Sequence, residues 1–433
     1  MRILLVSHGL PPDSVGGVEQ HVSGLATALV AAGHQVEIFA RANAPGEPQG
    51  SFAAANGPTD NPRIWRVAYR WEKCDSLRAM YASEPMADAI AAFLADRKQD
   101  GVSYDVAHVH HLTGMSTDSL QKLRDAGVPT VMTLHDYWLF CPRGQMFHHS
   151  GDVCETASIE RCSDCLTKTF PWWLKDAPEQ QVTELQQRAL TALALPDRLV
   201  VPSARAIPPF VQLGVPQERF AVVENGVDTE RLEALPAPSC GPGPLRLGYF
   251  GTLMPSKGLD VLLQAVMKLP QGLVELHIHG NSVPYHGDET YLTRCFMQLA
   301  PGSGVTYHGP YSLDEMPHRM ATIDVLAAPA LWHEAFGLTV REALSAARPV
   351  LVSRVGGLQD AVEDRVQGRV LEPGDVDSWA AAIRELAEDR QLVRQYVTAT
   401  RAPDTGGRAR GFAAMAADLA NIYGDVAPGP GRS

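Results

Sequence analysis

One unit repeats along this chain: a short apolar run, a loop punctuated by glycine or proline, and an amphipathic segment at helical spacing. Arg2–Ser7 is apolar enough for a buried strand, and Pro11, Pro12, Gly16 and Gly17 form the loop after it. Val18, Val22, Leu25 and Leu29 then predict a helix over Val18–Ala32, which Gly33 stops. A strand at Gln35–Ala40 follows directly, with others at Ile64–Ala68, Asp105–His110, Thr130–Leu134, Arg198–Val201 and Phe220–Val223. Helices fit Pro85–Lys98, Asp118–Ala126 and Glu179–Ala194. Strands that alternate with helices require a mostly parallel sheet covered on both faces, so the fold class is α/β.

The rhythm breaks at Glu233–Pro244, where EALPAPSCGPGP packs four Pro and two Gly into twelve residues, the composition of an interdomain linker. Beyond it the alternation restarts. Strands are expected at Arg246–Phe250, Val274–His279, Val305–His308, Val325–Ala328, Val350–Ser353 and Arg369–Leu371. Helices are expected at Lys257–Leu269, Glu289–Leu299, Gly337–Ala347 and Asp377–Glu388. The reading is two doubly wound, Rossmann-like domains, residues 1–232 and 245–400, facing each other across a cleft. A late amphipathic helix is expected at about residues 407–423, and the tail Ala427–Ser433 is expected to be disordered.

Composition narrows the function. With 45% hydrophobic and 20% charged residues, the 433-residue chain has material for a core in each domain. A net charge of −12 without a Lys/Arg block argues against nucleic-acid binding. No apolar run approaches the ~18 residues that span a bilayer, and MRILLVSHGLPP reads as a first strand, not a signal segment. A cytoplasmic protein is expected, with peripheral contact at the cytoplasmic face of the membrane left open.

Open α/β sheets bind ligands beyond the carboxyl ends of their strands, so a nucleotide-bearing substrate is the natural occupant. The stretch HEAFGLTVREALSAA, His333–Ala347, is the most informative. Glu334 precedes the helix and Glu342 lies two turns inside it; carboxylates accept hydrogen bonds from vicinal sugar hydroxyls. Phe336, Gly337 and Leu338 stand between them at the helix start, where uncommitted N–H groups and the dipole favour phosphate.

Together with the Gly16–Gly17 loop, Asn225-Gly226-Val227-Asp228, the Gly251…Lys257-Gly258 loop and Val355-Gly356-Gly357, this stretch resembles the retaining GT-B glycosyltransferases of glycosyltransferase family 4, over nearly the whole chain. The resemblance implies transfer of a hexosyl group from a nucleoside-diphosphate sugar to a glycan, glycolipid or small-molecule acceptor, with retention and without a required metal. Glu334 would hold the transferred sugar, Glu342 the ribose and Lys257 the diphosphate. Gly251, Thr252 and Gly280 would approach the nucleotide from the second domain, and Gly16 and Gly17 from the first. His135, in Thr133-Leu134-His135-Asp136, would lie near the reacting sugar. The family's usual Arg after the phosphate-loop glycine is here Thr252, so Arg246, Arg354 or a backbone nest would neutralise the leaving group instead. The rival readings are a GT-B epimerase or hydrolase, and a non-catalytic, zinc-bearing sugar-nucleotide-binding protein. A tandem dehydrogenase is disfavoured because no G-x-G-x-x-G follows either first strand.

Four of the seven cysteines, Cys141, Cys154, Cys162 and Cys165, form C-x12-C-x7-C-x2-C inside an insertion over Cys141–Trp173 that also holds His148, His149, Phe170, Trp172 and Trp173. The expectation is a structural zinc stapling a loop over the acceptor side, against an iron–sulfur or redox site or unligated thiols. His108, His110 and His111 cluster at a strand end. Alternation puts the first two on one face and the third on the other, so they read as hydrogen-bonded strand-end residues, not metal ligands.

Overall fold

A computed structural model describes residues 1–284, 288–402 and 409–427. The chain forms two compact units: Met1–His149, Cys154–Gly226 and Phe412–Ser433 in one, Ser150–Val153 and Val227–Gly411 in the other.

The first unit is built on eight strands: β1 (Arg2–Ser7), β2 (Gln35–Asn43), β3 (Phe52–Ala54), β4 (Arg63–Tyr69), β5 (Val106–Val109), β6 (Thr130–Thr133), β7 (Arg198–Val201) and β8 (Phe220–Val222). Their order is β3-β4-β2-β1-β5-β6-β7-β8. All neighbours run parallel except the edge pair β3–β4, a short antiparallel addition with no apolar run to announce it. The strand order reverses between β1 and β5, which opens a crevice at their carboxyl ends.

One face of this sheet is covered by the helix Gly17–Ala31, through Val22, Leu25 and Leu29, and by the helix Phe412–Val426, through Met415, Leu419 and Tyr423. The two helices meet closely at Gly24, where a Cβ would lie 2.2 Å from the Phe412 ring. Any side chain there would push the last helix off its seat. Of the predicted helix at 407–423, residues 407–408 fall outside the described part, as do residues 428–433 of the tail.

The second unit has six parallel strands in the order Val305–Tyr307, Val274–His279, Leu245–Phe250, Val325–Ala328, Val350–Ser353, Gly368–Leu371. Its switch point lies between Leu245–Phe250 and Val325–Ala328, and its core gathers Leu247, Leu262, Ile278, Val325, Leu351 and the fully buried Trp379.

Two expectations need correction. Glu233–Pro244 is not a free linker, because Arg348 donates to the Pro236 carbonyl (2.7 Å), Arg394 donates to that of Cys240 (3.1 Å), and Cys240 is buried. The chain passes between units at Gly226–Val227 instead. The predicted helix Lys257–Leu269 begins only at Leu259, since Pro255–Lys257 forms a 3-10 turn and Gly258 is left-handed (φ 68°). Among the described residues, no helix is long and apolar enough to cross a membrane.

Candidate active site

In the second unit the loops after the two central strands converge. Gly258 fits only because it lacks a side chain: a Cβ would sit 2.0 Å from the Pro329 carbonyl oxygen. Leu331 N–H donates to the Ser256 carbonyl at 2.8 Å, which locks the loop after Leu245–Phe250 onto the one after Val325–Ala328. This brings Lys257 and Glu334 together, Nζ to Oε2 at 2.5 Å, with the ammonium also 5.2 Å from the Trp332 ring centroid.

Glu334 is held from behind. Gly357 N–H donates to the Glu334 carbonyl at 2.7 Å, and a Cβ on Gly356 would lie 2.1 Å from that same oxygen. The Val355-Gly356-Gly357 motif is therefore the backbone support of the Glu334 loop. Gly337, left-handed at φ 78°, then starts the helix Leu338–Ser345, whose first N–H groups have no intrahelical acceptor. Phe336 is buried under the Arg341 guanidinium, 3.5 Å above its ring.

Glu342, on the same helix, is 8% exposed, and burial alone raises its carboxyl to about 7. Burial, then the nearby Glu342, pushes the Tyr311 hydroxyl up. A buried carboxylate that gains no stabilising charge or hydrogen bond is costly unless a ligand supplies the donors. Gly251 and Gly280 both have strongly positive φ (148° and 150°), and a Cβ on Gly280 would be 1.8 Å from the Gly251 carbonyl oxygen. These two loops leave bare backbone beside the strand ends. Thr252 contributes its carbonyl to the Tyr249 hydroxyl at 3.2 Å.

Arg246 does not replace the missing loop arginine. It is ion-paired to the buried Asp324 (2.6 Å) at the amino end of its strand, the end opposite the phosphate loop. Arg354 stands at a carboxyl end but is paired to Glu372 at 2.8 Å.

In the first unit Gly16 caps the helix Gly17–Ala31 in extended conformation, and a Cβ there would approach the Glu19 carboxylate to 2.8 Å. Glu19 accepts from Ser14 and lies 3.4 Å from His8 Nε2. His135 follows β6 at the carboxyl end of the sheet and joins two other imidazoles. One nitrogen each of His21, His110 and His135 lies within 4.8 Å of the others, with His110 Nδ1 3.3 Å from His135 Nε2. Burial, then the neighbouring imidazoles, hold His110 and His135 well below the usual histidine range, and burial lowers His21 to about 4. Asn225, of the Asn-Gly-Val-Asp motif, is close enough to His21 to oppose that shift. At neutral pH these rings are uncharged and serve as hydrogen-bond partners.

This corrects the strand-end reading in part. His108 is satisfied at both nitrogens, by Tyr423 and Thr133 at 2.7 Å each, and His111 pairs with Asp136 at 3.3 Å. His110 instead belongs to the His21–His135 group. His21 and His8 were not legible in the sequence, because nothing local marks two histidines that only the sheet brings to one place.

Every pair among the thiols of Cys141, Cys154, Cys162 and Cys165 is near enough to interact electrostatically. Burial, followed for Cys162 by that mutual repulsion, pushes Cys141 up to about 11 and Cys162 to about 12. Among the described residues the groups whose ligand atoms all fall within 4.8 Å are His21–His110–His135 and His148–His149–Asp164, so the four sulfurs are not closed that tightly.

The family model described as Glycosyltransferase Family 4 matches residues 15–231, and that described as Glycosyl transferases group 1 matches residues 244–389. A D-inositol 3-phosphate glycosyltransferase of Mycobacterium marinum is 28% identical over 85% of this chain and 72% of its own length. A glycogen synthase of Mycobacterium tuberculosis is 26% identical over 93% and 89%. Among solved structures, sucrose-phosphate synthase from Thermosynechococcus elongatus superimposes with a TM-score of 0.71 at 20% identity, covering 98% of each chain. Anabaena HepE in complex with UDP gives 0.67 at 18%, covering 98% of this chain and all of its own. The two parallel sheets with their glycine-lined strand ends, and the family models spanning both, lead to one conclusion: this chain is a GT-B protein and belongs to glycosyltransferase family 4.

Proposed function

We propose that this protein transfers a hexosyl group from a uridine-diphosphate sugar to an acceptor hydroxyl with retention at the anomeric carbon. The observation that carries the reading is the arrangement around one helix: the Glu334 carboxylate in the loop before it, ion-paired to Lys257, then the amino end of the helix Leu338–Ser345, then the buried Glu342 carboxylate. Glu342 accepts from the ribose hydroxyls. The helix start and Lys257 meet the diphosphate, and Glu334 accepts from the hydroxyls of the transferred sugar. Uridine is favoured because HepE is seen with UDP and with UDP-glucose.

In the reaction the bond from the anomeric carbon to the β-phosphate oxygen breaks, and the electron pair leaves with UDP. The acceptor oxygen bonds to that carbon on the same face and passes its proton to the departing phosphate oxygen. Lys257 and the helix dipole stabilise the charge that builds on the diphosphate. Glu334, held in its ion pair, acts as a hydroxyl acceptor and not as a nucleophile.

The test is thermal unfolding with UDP, GDP, ADP and NAD, each with and without EDTA, followed by UDP release from UDP-sugars with and without acceptor sugars. A ligand at 100 times its Kd adds about 2.7 kcal/mol to the native state. Stabilisation by UDP that EDTA leaves unchanged is the expected result. A shift with NAD alone, or with no diphosphate, overturns the proposal.

A further inference from the structure

We propose that Cys141, Cys154, Cys162 and Cys165 bind one zinc ion as a four-thiolate centre, which clamps the segment carrying His135 and Asp136. This centre lies outside the sugar-nucleotide chemistry and does not depend on it. The helix Ile159–Thr169, capped by the Ser158 hydroxyl, carries Cys162 and Cys165 one turn apart on the same side. The other two thiols come from the loop before it, where Cys154 N–H donates to the Met146 carbonyl at 2.7 Å.

Donors are also aimed at two of the sulfurs. The Cys141 sulfur accepts from the backbone N–H groups of Arg143 and Met146, made possible by a tight turn with Gly144 at φ 75° and Met146 at φ 48°. The Cys165 sulfur accepts from the His149 N–H, and the Arg143 guanidinium lies 3.7 Å away. Two sulfurs thus have donors aimed at them, and all four gather around one helix and the loop before it, an arrangement suited to a cation held by sulfur ligands. Soft thiolates select zinc or an iron–sulfur cluster over hard cations, and zinc accepts four sulfurs as a closed tetrahedral set.

The clamp follows from the hydrogen bonds of the same turn. Cys141 N–H donates to the Tyr137 carbonyl (2.9 Å), and Tyr137 N–H to the Gly144 carbonyl (3.0 Å). Trp138 N–H donates to the Asp136 carboxylate at 2.8 Å, and a Cβ on Gly144 would be 3.2 Å from that carboxylate. Fixing Cys141 thus fixes the residues that follow His135. The other two candidate clusters hold different chemistry. His148–His149–Asp164 is a surface ion-pair group built on a largely exposed aspartate, and His21–His110–His135 is an imidazole set without a thiol.

The experiment is metal analysis of the freshly purified full chain expressed with zinc supplementation, for the wild type, Cys162→Ser, Cys165→Ser and His110→Asn. One equivalent of zinc in the wild type and in His110→Asn, lost in both cysteine variants, is expected. A second measurement serves if the cysteine variants fail to fold. Titration of the wild type with an organomercurial should release zinc in step with four thiols, and hydrogen exchange over residues 135–144 should rise as it leaves. Less than half an equivalent of zinc, a coloured iron centre, zinc retained by the cysteine variants and lost from His110→Asn, or thiols that titrate freely while zinc stays bound would each overturn the proposal.

Discussion

Glu342→Gln separates a waiting ligand group from a structural one. In the native second unit burial raises the Glu342 carboxyl to about 7, against an ordinary value of 4.5. At 1.36 kcal/mol per pH unit that displacement corresponds to about 3 kcal/mol held against the ionised form. Between those two pH values the native state holds more protons than the unfolded chain. The contribution of this carboxyl to stability therefore falls as pH rises from 4.5 to 7 and stays at the lower level above it, against the opposite contribution of the lowered His277, His279 and His308 in the same unit. Replacing the carboxyl by an uncharged amide of the same shape removes this dependence. At pH 8 the variant's second unit should be more stable by about 3 kcal/mol, while at pH 4.5 the two proteins should agree within about 1 kcal/mol. Hydrogen exchange in Leu245–Phe250 and Val325–Ala328 reads that unit by itself. The variant should at the same time lose the stabilisation by UDP. A variant that is less stable than the wild type at pH 8 would refute the reasoning, because it would show that the ionised carboxylate already has partners within the fold.

Further outcomes follow from the same geometry. Glu334→Gln should lower kcat by about 10²–10³-fold, the scale for losing one oriented electrostatic contact, with the unfolding midpoint nearly unchanged; near-normal turnover would remove Glu334 from the site. Tyr423→Phe leaves His108 Nδ1 without its 2.7 Å partner and should destabilise the first unit by about 1–3 kcal/mol, seen as faster exchange in β1 and β5; unchanged exchange would mean that the bond contributes nothing. The first unit should also respond to acid in the opposite sense from Glu342. His8, His21, His110 and His135 are all lowered, so below the ordinary 6.5 the unfolded chain binds more protons and stability drains away, for His21 down to about 4. A first unit equally stable at pH 7 and at pH 5 would contradict that assignment.

Much of the architecture was legible because strand and helix periods differ and because Gly and Pro mark the joints. Val274–His279, Val325–Ala328 and Val350–Ser353 were read with the boundaries the structure shows. Lys257 and Glu334 were legible as residue types in a motif, yet their 2.5 Å contact depends on Gly258 passing under Pro329, which no local pattern reports. The helix Ile159–Thr169 escaped because IERCSDCLTKT is mostly polar: its apolar side is supplied largely by Cys165 and Leu166. The Pro-rich segment misled for a related reason. Its composition matches a linker, but its carbonyls are taken up by Arg348 and Arg394, residues more than a hundred positions away.

The helix Phe412–Val426 gives the chain an order of assembly. Met415, Leu419 and Tyr423 line the core of the first unit, so that unit lacks part of its interior until the segment Phe412–Val426 is made. Everything from Val227 to Gly411 is synthesised in between, which at ~5–20 residues per second takes roughly 9–37 seconds. The second unit is complete in sequence before that helix emerges. During this interval β1 and the helix Gly17–Ala31 wait with an uncovered apolar face, the form in which a nascent chain is most open to chaperones and to premature truncation.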